Sequence, residues 1–295
     1  MISFFGASVT QQKTGYTNEF KKLIEDKMNV TVFGYGSTHL NDAGVCYIDN
    51  VIKENPKYCF IDWFSTGFVC CDSYIYTYLD TLVYKFSQIN CYLIFLLLDR
   101  NPMEEKRIKM YDIIKEYCKI HNIKYIELFN NKNVTELLRD SVHTTEVGSK
   151  LYADKIFEFY NNNIDNKNNI MINISNQNKY CLINQIQFNK IVKDKITFKG
   201  NGEIIGISQT IGLNSGIIKI NNNNNITSIN LWDQWCHFNR ENIKINIKFE
   251  NFLEIIITQE KFDTSSCKNN NINWDSYEKY MDIKEIFYVG DLVIV

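Results

Sequence analysis

The chain has 295 residues, enough for one large or two modest domains at roughly 100–200 residues each. A hydrophobic fraction of 45% and a charged fraction of 22% are ordinary globular usage and exclude a wholly disordered chain. Lys+Arg at 32 against Asp+Glu at 34 leaves a net charge of −2, which offers no electrostatic footprint for nucleic acid or an anionic membrane.

The first half alternates strand and helix. Apolar runs at Ile2–Phe5, Val30–Phe33, Tyr58–Phe64, Tyr92–Leu98 and Tyr125–Leu128 read as strands, with helix-length segments between them. The longest run, Tyr92 to Leu98, is strand-sized, far below the roughly 20 residues of a transmembrane segment. The clearest helix spans Glu105 to His121, where Ile108, Tyr111, Ile114 and Cys118 recur at helical spacing. Near-continuous apolar strands separated by helices predict a parallel sheet covered on both faces, a small doubly wound α/β domain over residues 1–160.

Asparagine marks the boundary. There are 11 Asn in residues 1–160 and 27 in residues 161–295. The run from Asn161 to Asn163, followed by Asn166, Asn168 and Asn169, reads as a polar linker over 161–180. Beyond it, Ile243, Ile245, Ile247 and Phe249 alternate with Lys244, Asn246 and Lys248, a strand with one wet face. Similar short runs fall at Lys195–Phe198, Glu203–Ser208, Gly216–Ile220, Glu254–Thr258, Phe287–Val289 and Leu292–Val295, with Asn221–Asn225 as a loop. Strands without intervening helices predict a β-rich antiparallel domain over 181–295, a sandwich or jelly roll.

The nine cysteines are odd in number, sit mostly in apolar runs, and show no zinc-like spacing with histidine. The N-terminal residues have neither a basic n-region nor a signal-like apolar stretch. Together these predict reduced, packed thiols, no metal, and a cytoplasmic location.

The strongest local signal is Gly6-Ala7-Ser8-Val9-Thr10, directly after the first strand. Ligands of open parallel sheets bind at the carboxyl ends of the strands. A serine on a tight turn there either exposes its hydroxyl as a nucleophile or caps the following helix. A serine nucleophile needs a base, and that base needs an orienting group. Of the four histidines, His143 follows the fifth strand and stands three residues after Asp140. A loop pair of this kind is either merely solvated or, at the same sheet edge as Ser8, a general base held in one tautomer by a carboxylate.

At these residues the chain resembles the SGNH (GDSL-like) hydrolase superfamily over residues 1–160. Gly6-Ala7-Ser8-Val9-Thr10 stands where that family has its Gly-Asp-Ser turn, with Ala7 replacing the acid, and Asp140 and His143 match its Asp-x-x-His pair. The resemblance implies an oxyanion hole from the backbone of Ser8 and of Gly36, in Phe33-Gly34-Tyr35-Gly36. The family's oxyanion asparagine is absent; Thr66, or else Ser65, occupies its place in Asp62-Trp63-Phe64-Ser65-Thr66-Gly67. The implied chemistry is double-displacement acyl transfer with Ser8 as nucleophile, His143 as base and Asp140 as its orienting group.

Chain organisation also resembles bacterial O-acetyltransferases of sialic-acid-bearing surface glycans such as lipooligosaccharide. That implies transfer of acetyl from acetyl-CoA, a co-substrate and not a bound cofactor, to a glycan hydroxyl. A carbohydrate O-acetylesterase is the second reading and an inactive glycan-binding module the third. His39, close to Gly36, is a candidate substrate contact or a local packing residue. Trp232, Asp233, Trp235, His237 and Arg240 form a short aromatic and polar stretch, suited either to stacking on a sugar or adenine ring or to filling a sandwich core.

Overall fold

The computed structural model describes residues 1–24, 27–65, 72–129, 133–163, 182–187, 195–211, 216–230, 240–243, 246–258, 260 and 282–295. The chain divides into two compact units, Met1–Cys181 and Leu182–Val295.

The first unit carries five strands: β1 (Ile2–Gly6), β2 (Val30–Gly34), β3 (Tyr58–Asp62), β4 (Tyr92–Leu97) and β5 (Lys124–Glu127). Their order is β2-β1-β3-β4-β5, all parallel. Every residue of β1, β3 and β4 is buried, while the edge strands β2 and β5 are partly exposed. That is why the central strands read as unbroken apolar runs, since both faces are covered.

Its helices are α1 (Ser8–Gln11), α2 (Tyr16–Ile24), α3 (Ile48–Lys53), α4 (Asp72–Ser87), α5 (Glu105–Ile120), α6 (Val134–Leu137) and α7 (Glu146–Asn162), with a π turn at Leu40–Gly44. On one sheet face, Tyr16, Phe20 and Ile24 of α2 and Tyr152, Ala153, Ile156 and Tyr160 of α7 join Phe4, Phe60, Ile94 and Leu96 in one core. Phe4 stacks on Phe60 at 5.0 Å, and Phe20 meets Phe4 edge-on at 5.2 Å. Phe5, Cys59, Ile61, Leu93 and Phe95, pointing the other way along their strands, are equally buried.

Two expectations for this unit change. Ile108 stands 48% exposed on α5, whereas Tyr111, Ile114 and Cys118 are buried, so the packed stripe is narrower than the spacing suggested. Asn161 and Asn162 form the last turn of α7, since a polar pair costs little on the solvent side of a helix already anchored by Ile156 and Tyr160. Residues 164–181 lie outside the described residues. Among those described, no helix is long and apolar enough to cross a membrane, and no cluster of His, Cys, Asp and Glu is placed to hold a metal.

The second unit is antiparallel: β6 (Asn184–Gln187), β7 (Lys195–Ile211), β8 (Ile217–Asn222), β9 (Asn225–Asn230), β10 (Arg240–Ile243), β11 (Ile247–Phe249), β12 (Phe252–Ile257) and β13 (Asp282–Ile294). The order is β6-β13-β7-β12-β8-β9, with β10 and β11 also pairing with β7, so the described strands make one hydrogen-bonded sheet. The separate runs expected at Lys195–Phe198 and Glu203–Ser208 are one strand, as are those at Phe287–Val289 and Leu292–Val295. The intervening glycines explain both mergers. Gly200 (φ 116) and Gly290 (φ 113) adopt a backbone that side chains resist, and pairing continues through them. Ile196, Phe198, Ile204, Ile207, Ile218, Ile220, Leu253, Ile255 and Ile286 form this unit's core. Asn223 (φ 49) and Asn224 (φ 70) turn β8 into β9 in the left-handed conformation that two-residue hairpins favour.

Candidate active site

Strand register sets the site's floor. Gly6 pairs with Gly34 on one side and with Asp62 on the other, so the ends of β2, β1 and β3 stand in one row. Two backbone bonds grip the turn that follows β1: Ala7 N–H donates to the Asp62 carbonyl at 3.0 Å, and Tyr35 N–H donates to the Gly6 carbonyl at 2.9 Å. Ala7 is fully buried, and Ser8 opens α1 at the rim.

His143 approaches from the far edge of the chain's topology. The bridge between Leu138 and Thr144 closes a short loop in which Arg139 N–H donates to the His143 carbonyl at 2.9 Å. Thr145 then caps α7, its hydroxyl accepting from Gly148 N–H at 3.1 Å. Inside the loop, Asp140 Oδ1 accepts from the backbone N–H groups of Val142 (2.9 Å) and His143 (2.8 Å). His143 Nδ1 lies 2.9 Å from Asp140 Oδ2, and His143 Nε2 lies 3.0 Å from Ser8 Oγ. A carboxylate on Nδ1 fixes the proton there and leaves Nε2 as acceptor toward the serine, the tautomer a general base needs. Partial burial pushes the Asp140 carboxyl upward, but the backbone donors of His143 and Val142 and the His143 ring outweigh it, so Asp140 is held below its ordinary range.

Gly36 stands beside the nucleophile. A Cβ at this position would lie 4.0 Å from the Ser8 Cβ and 2.6 Å from the end of the Gln11 side chain, which would have to swing aside to admit it. The structure thus brings Ser8, Gly36, Asp140 and His143 together.

Ser65 goes elsewhere. It is fully buried and its hydroxyl donates to Asp62 Oδ1 at 2.7 Å, which removes it from substrate contact. His39 is half-buried at the start of the π turn, where its N–H donates to Asp42 Oδ1 at 2.6 Å. Arg240 lies on β10 opposite Ile211. Thr66, Trp232, Asp233, Trp235 and His237 lie outside the described residues. The thiols of Cys46, Cys59, Cys91 and Cys118 are buried and form no disulfide, and burial pushes those of Cys59, Cys91 and Cys118 upward, which makes them inert.

A second carboxylate lies under the nucleophile turn. Asp62 is completely buried. It accepts from Ser65 and, at 3.1 Å, from the Thr10 hydroxyl, which in turn meets the Tyr16 hydroxyl at 2.8 Å. Burial raises its carboxyl to about 6, against the opposing pull of its Ser65 and Thr10 donors and of nearby His143. The available signal was an acid closing the otherwise apolar run Tyr58-Cys59-Phe60-Ile61-Asp62. Two arginines steady the segment beyond it: Arg107 donates to the Phe64 carbonyl at 2.7 Å and Arg100 to the Ser65 carbonyl at 2.9 Å.

Among solved structures, a two-domain esterase (CEX) active on acetylated mannans matches over 99% of this chain and 92% of its own, at 12% identity and TM-score 0.66. The same esterase co-crystallised with mannopentaose matches over 98% and 90%, at 12% identity and TM-score 0.64. The acetyl xylan esterase AlAXEase covers 54% of this chain and 98% of its own, at 21% identity and TM-score 0.46. No family model and no curated protein matches. At these identities the likeness is one of fold: a five-stranded parallel α/β sheet followed by an antiparallel β-rich unit, matched along nearly the whole chain by the two-domain esterase.

Proposed function

We propose that this protein is a serine-dependent carbohydrate O-acetylesterase. The observation that carries the reading is the chain of contacts from Ser8 Oγ through the His143 ring to Asp140, at 3.0 and 2.9 Å. In the proposed cycle His143 Nε2 takes the Ser8 proton as Oγ attacks the acetyl carbonyl. The N–H groups of Ser8 and Gly36 donate to the oxyanion, with the hydroxyl of Thr66 as a proposed third donor. His143 returns its proton to the departing sugar oxygen, leaving acetyl-Ser8. Water, deprotonated by His143, then releases acetate. Asp140 holds the ring and offsets the charge it gains.

Support for a glycan ester as substrate comes from the fold match along nearly the whole chain to an esterase active on acetylated mannans. The preference for acetyl-CoA as donor and a sialylated glycan as acceptor has no comparable support, so hydrolysis stands ahead of transfer. The test is acetate release from acetylated manno-oligosaccharides and from 4-nitrophenyl acetate, with parallel samples holding acetyl-CoA with and without a sialylated acceptor. Hydrolysis predicts acetate release without acetyl-CoA, lost by on the order of 10³-fold or more in Ser8→Ala. Thiol release that depends on the acceptor, with no acetate from the oligosaccharides, would replace the esterase by a transferase. An active, folded Ser8→Ala protein would overturn both.

A further inference from the structure

Ser8 and His143 belong to segments 135 residues apart, and the geometry of their contact depends on what ties those segments together. The tie is Gln12. It directly follows α1, the helix that Ser8 begins. Its side-chain amide meets both backbone groups of Thr144, the residue after His143. Gln12 Nε2 donates to the Thr144 carbonyl at 2.9 Å, and Gln12 Oε1 accepts from Thr144 N–H at 3.2 Å and from the Thr144 hydroxyl at 3.3 Å. The orientation of the amide follows from its partners: a carbonyl can only accept and an N–H can only donate, so the flipped amide would lose both bonds.

The receiving side is built. Thr144 is buried, and its hydroxyl lies 2.7 Å from that of Ser149, which is fully buried in the first turn of α7. Ser149 in turn reaches the Thr14 carbonyl at 3.2 Å, two residues beyond Gln12. The result is a closed circuit: Ser8, α1, Gln12, Thr144, His143 and back to Ser8. The Leu138–Thr144 bridge fixes the loop internally, but among the described bonds only the Gln12 amide binds the backbone beside His143 directly to the helix that carries the nucleophile.

We propose that Gln12 is a positioning residue: by pairing with the backbone of Thr144 it sets His143 Nε2 at hydrogen-bond distance from Ser8 Oγ. It does not touch the reacting atoms. The inference rests on Ser8 and His143 being the working pair. Its scale follows from the steep dependence of such steps on placement, where a shift of about 1 Å costs roughly 10²-fold.

The experiment compares Gln12→Met, which keeps length and removes both polar functions, with Gln12→Asn, which keeps the amide and cannot reach. Turnover of 4-nitrophenyl acetate is measured for each alone and combined with His143→Ala. The expected result is a fall in kcat of roughly 10- to 100-fold with KM changed by less than about 2-fold, and double variants no slower than His143→Ala alone. A residue needed only for folding would lower the active fraction by the same factor in both backgrounds. Full kcat in either folded Gln12 variant, or losses that multiply in the double variants, would overturn the inference. Failure of the Ser8–His143 reading itself shows separately, as retained activity in His143→Ala.

Discussion

Asp62→Asn isolates the buried carboxylate beneath the nucleophile turn. In the folded protein this group holds its proton up to about pH 6, whereas in the unfolded chain it releases it near the ordinary value of 3.8. The folded state therefore binds the extra proton between those values, and stability falls as pH rises through them. The stabilisation that protonation supplies is complete below pH 4 and gone above pH 6. At 1.36 kcal/mol per unit of displacement, the whole effect is about 3 kcal/mol, of which about 1.4 kcal/mol is lost between pH 5 and pH 8. Asparagine fills the same space without a charge: its oxygen accepts from Ser65, and its NH₂ donates to Thr10, whose proton turns to Tyr16. Urea unfolding at the two pH values supplies the comparison, because titrating groups that do not interact with Asp62 cancel in the difference between variant and parent. The stability of Asp62→Asn relative to the parent is expected to rise by about 1.4 kcal/mol from pH 5 to pH 8. A difference that does not change with pH would refute the placement of a proton on Asp62.

Asp140→Asn removes the carboxylate on His143 Nδ1, and kcat for 4-nitrophenyl acetate should fall on the order of 10²-fold or more while remaining above that of Ser8→Ala; unchanged kcat would assign the orienting role to another group. Because its donors hold Asp140 below the ordinary carboxylate range, it is charged at neutral pH, and a loss of activity between neutral pH and about pH 5 should not follow its titration. Gly148→Ala places a Cβ within 2.9 Å of the Leu137 backbone carbon, so the segment leading to the His143 loop must move. The roughly 1 kcal/mol that alanine gains in a helix is outweighed by an overpacking cost of about 1–3 kcal/mol, and a lowered urea midpoint is expected; a raised midpoint would show the helix term winning.

Much of the first unit was legible because burial on both faces writes itself into β1, β3 and β4 as unbroken apolar runs. The pair Asp140 and His143 was legible because two chemically distinctive residues share one loop, and Ser8 because it follows a strand in a glycine-led turn. Gln12 was not: glutamine is ordinary on a surface, and its partner is a backbone 132 residues away, which leaves no local pattern. Asp62 was visible only as an acid in the wrong company, and what it does depends on Thr10 and Tyr16 arriving from a distant part of the chain to join Ser65, three residues on. In the second unit strand count went astray for a local reason. Glycine normally ends a run, yet Gly200 and Gly290 each have a partner strand that carries the pairing past them.

The distance along the chain between the nucleophile and its base also has a consequence for biosynthesis. Ser8 is translated 135 residues ahead of His143, so it has no base until the loop after β5 and the first turn of α7 exist to hold that ring. At about 5–20 residues per second, the intervening 135 residues take roughly 7–27 s. Throughout that interval the nascent chain carries an unactivated hydroxyl, and the proposed esterolytic activity requires a completed first unit. Activity measured on arrested nascent chains of increasing length should therefore switch on in one step rather than grow, which makes the reaction a reporter of when this unit finishes folding.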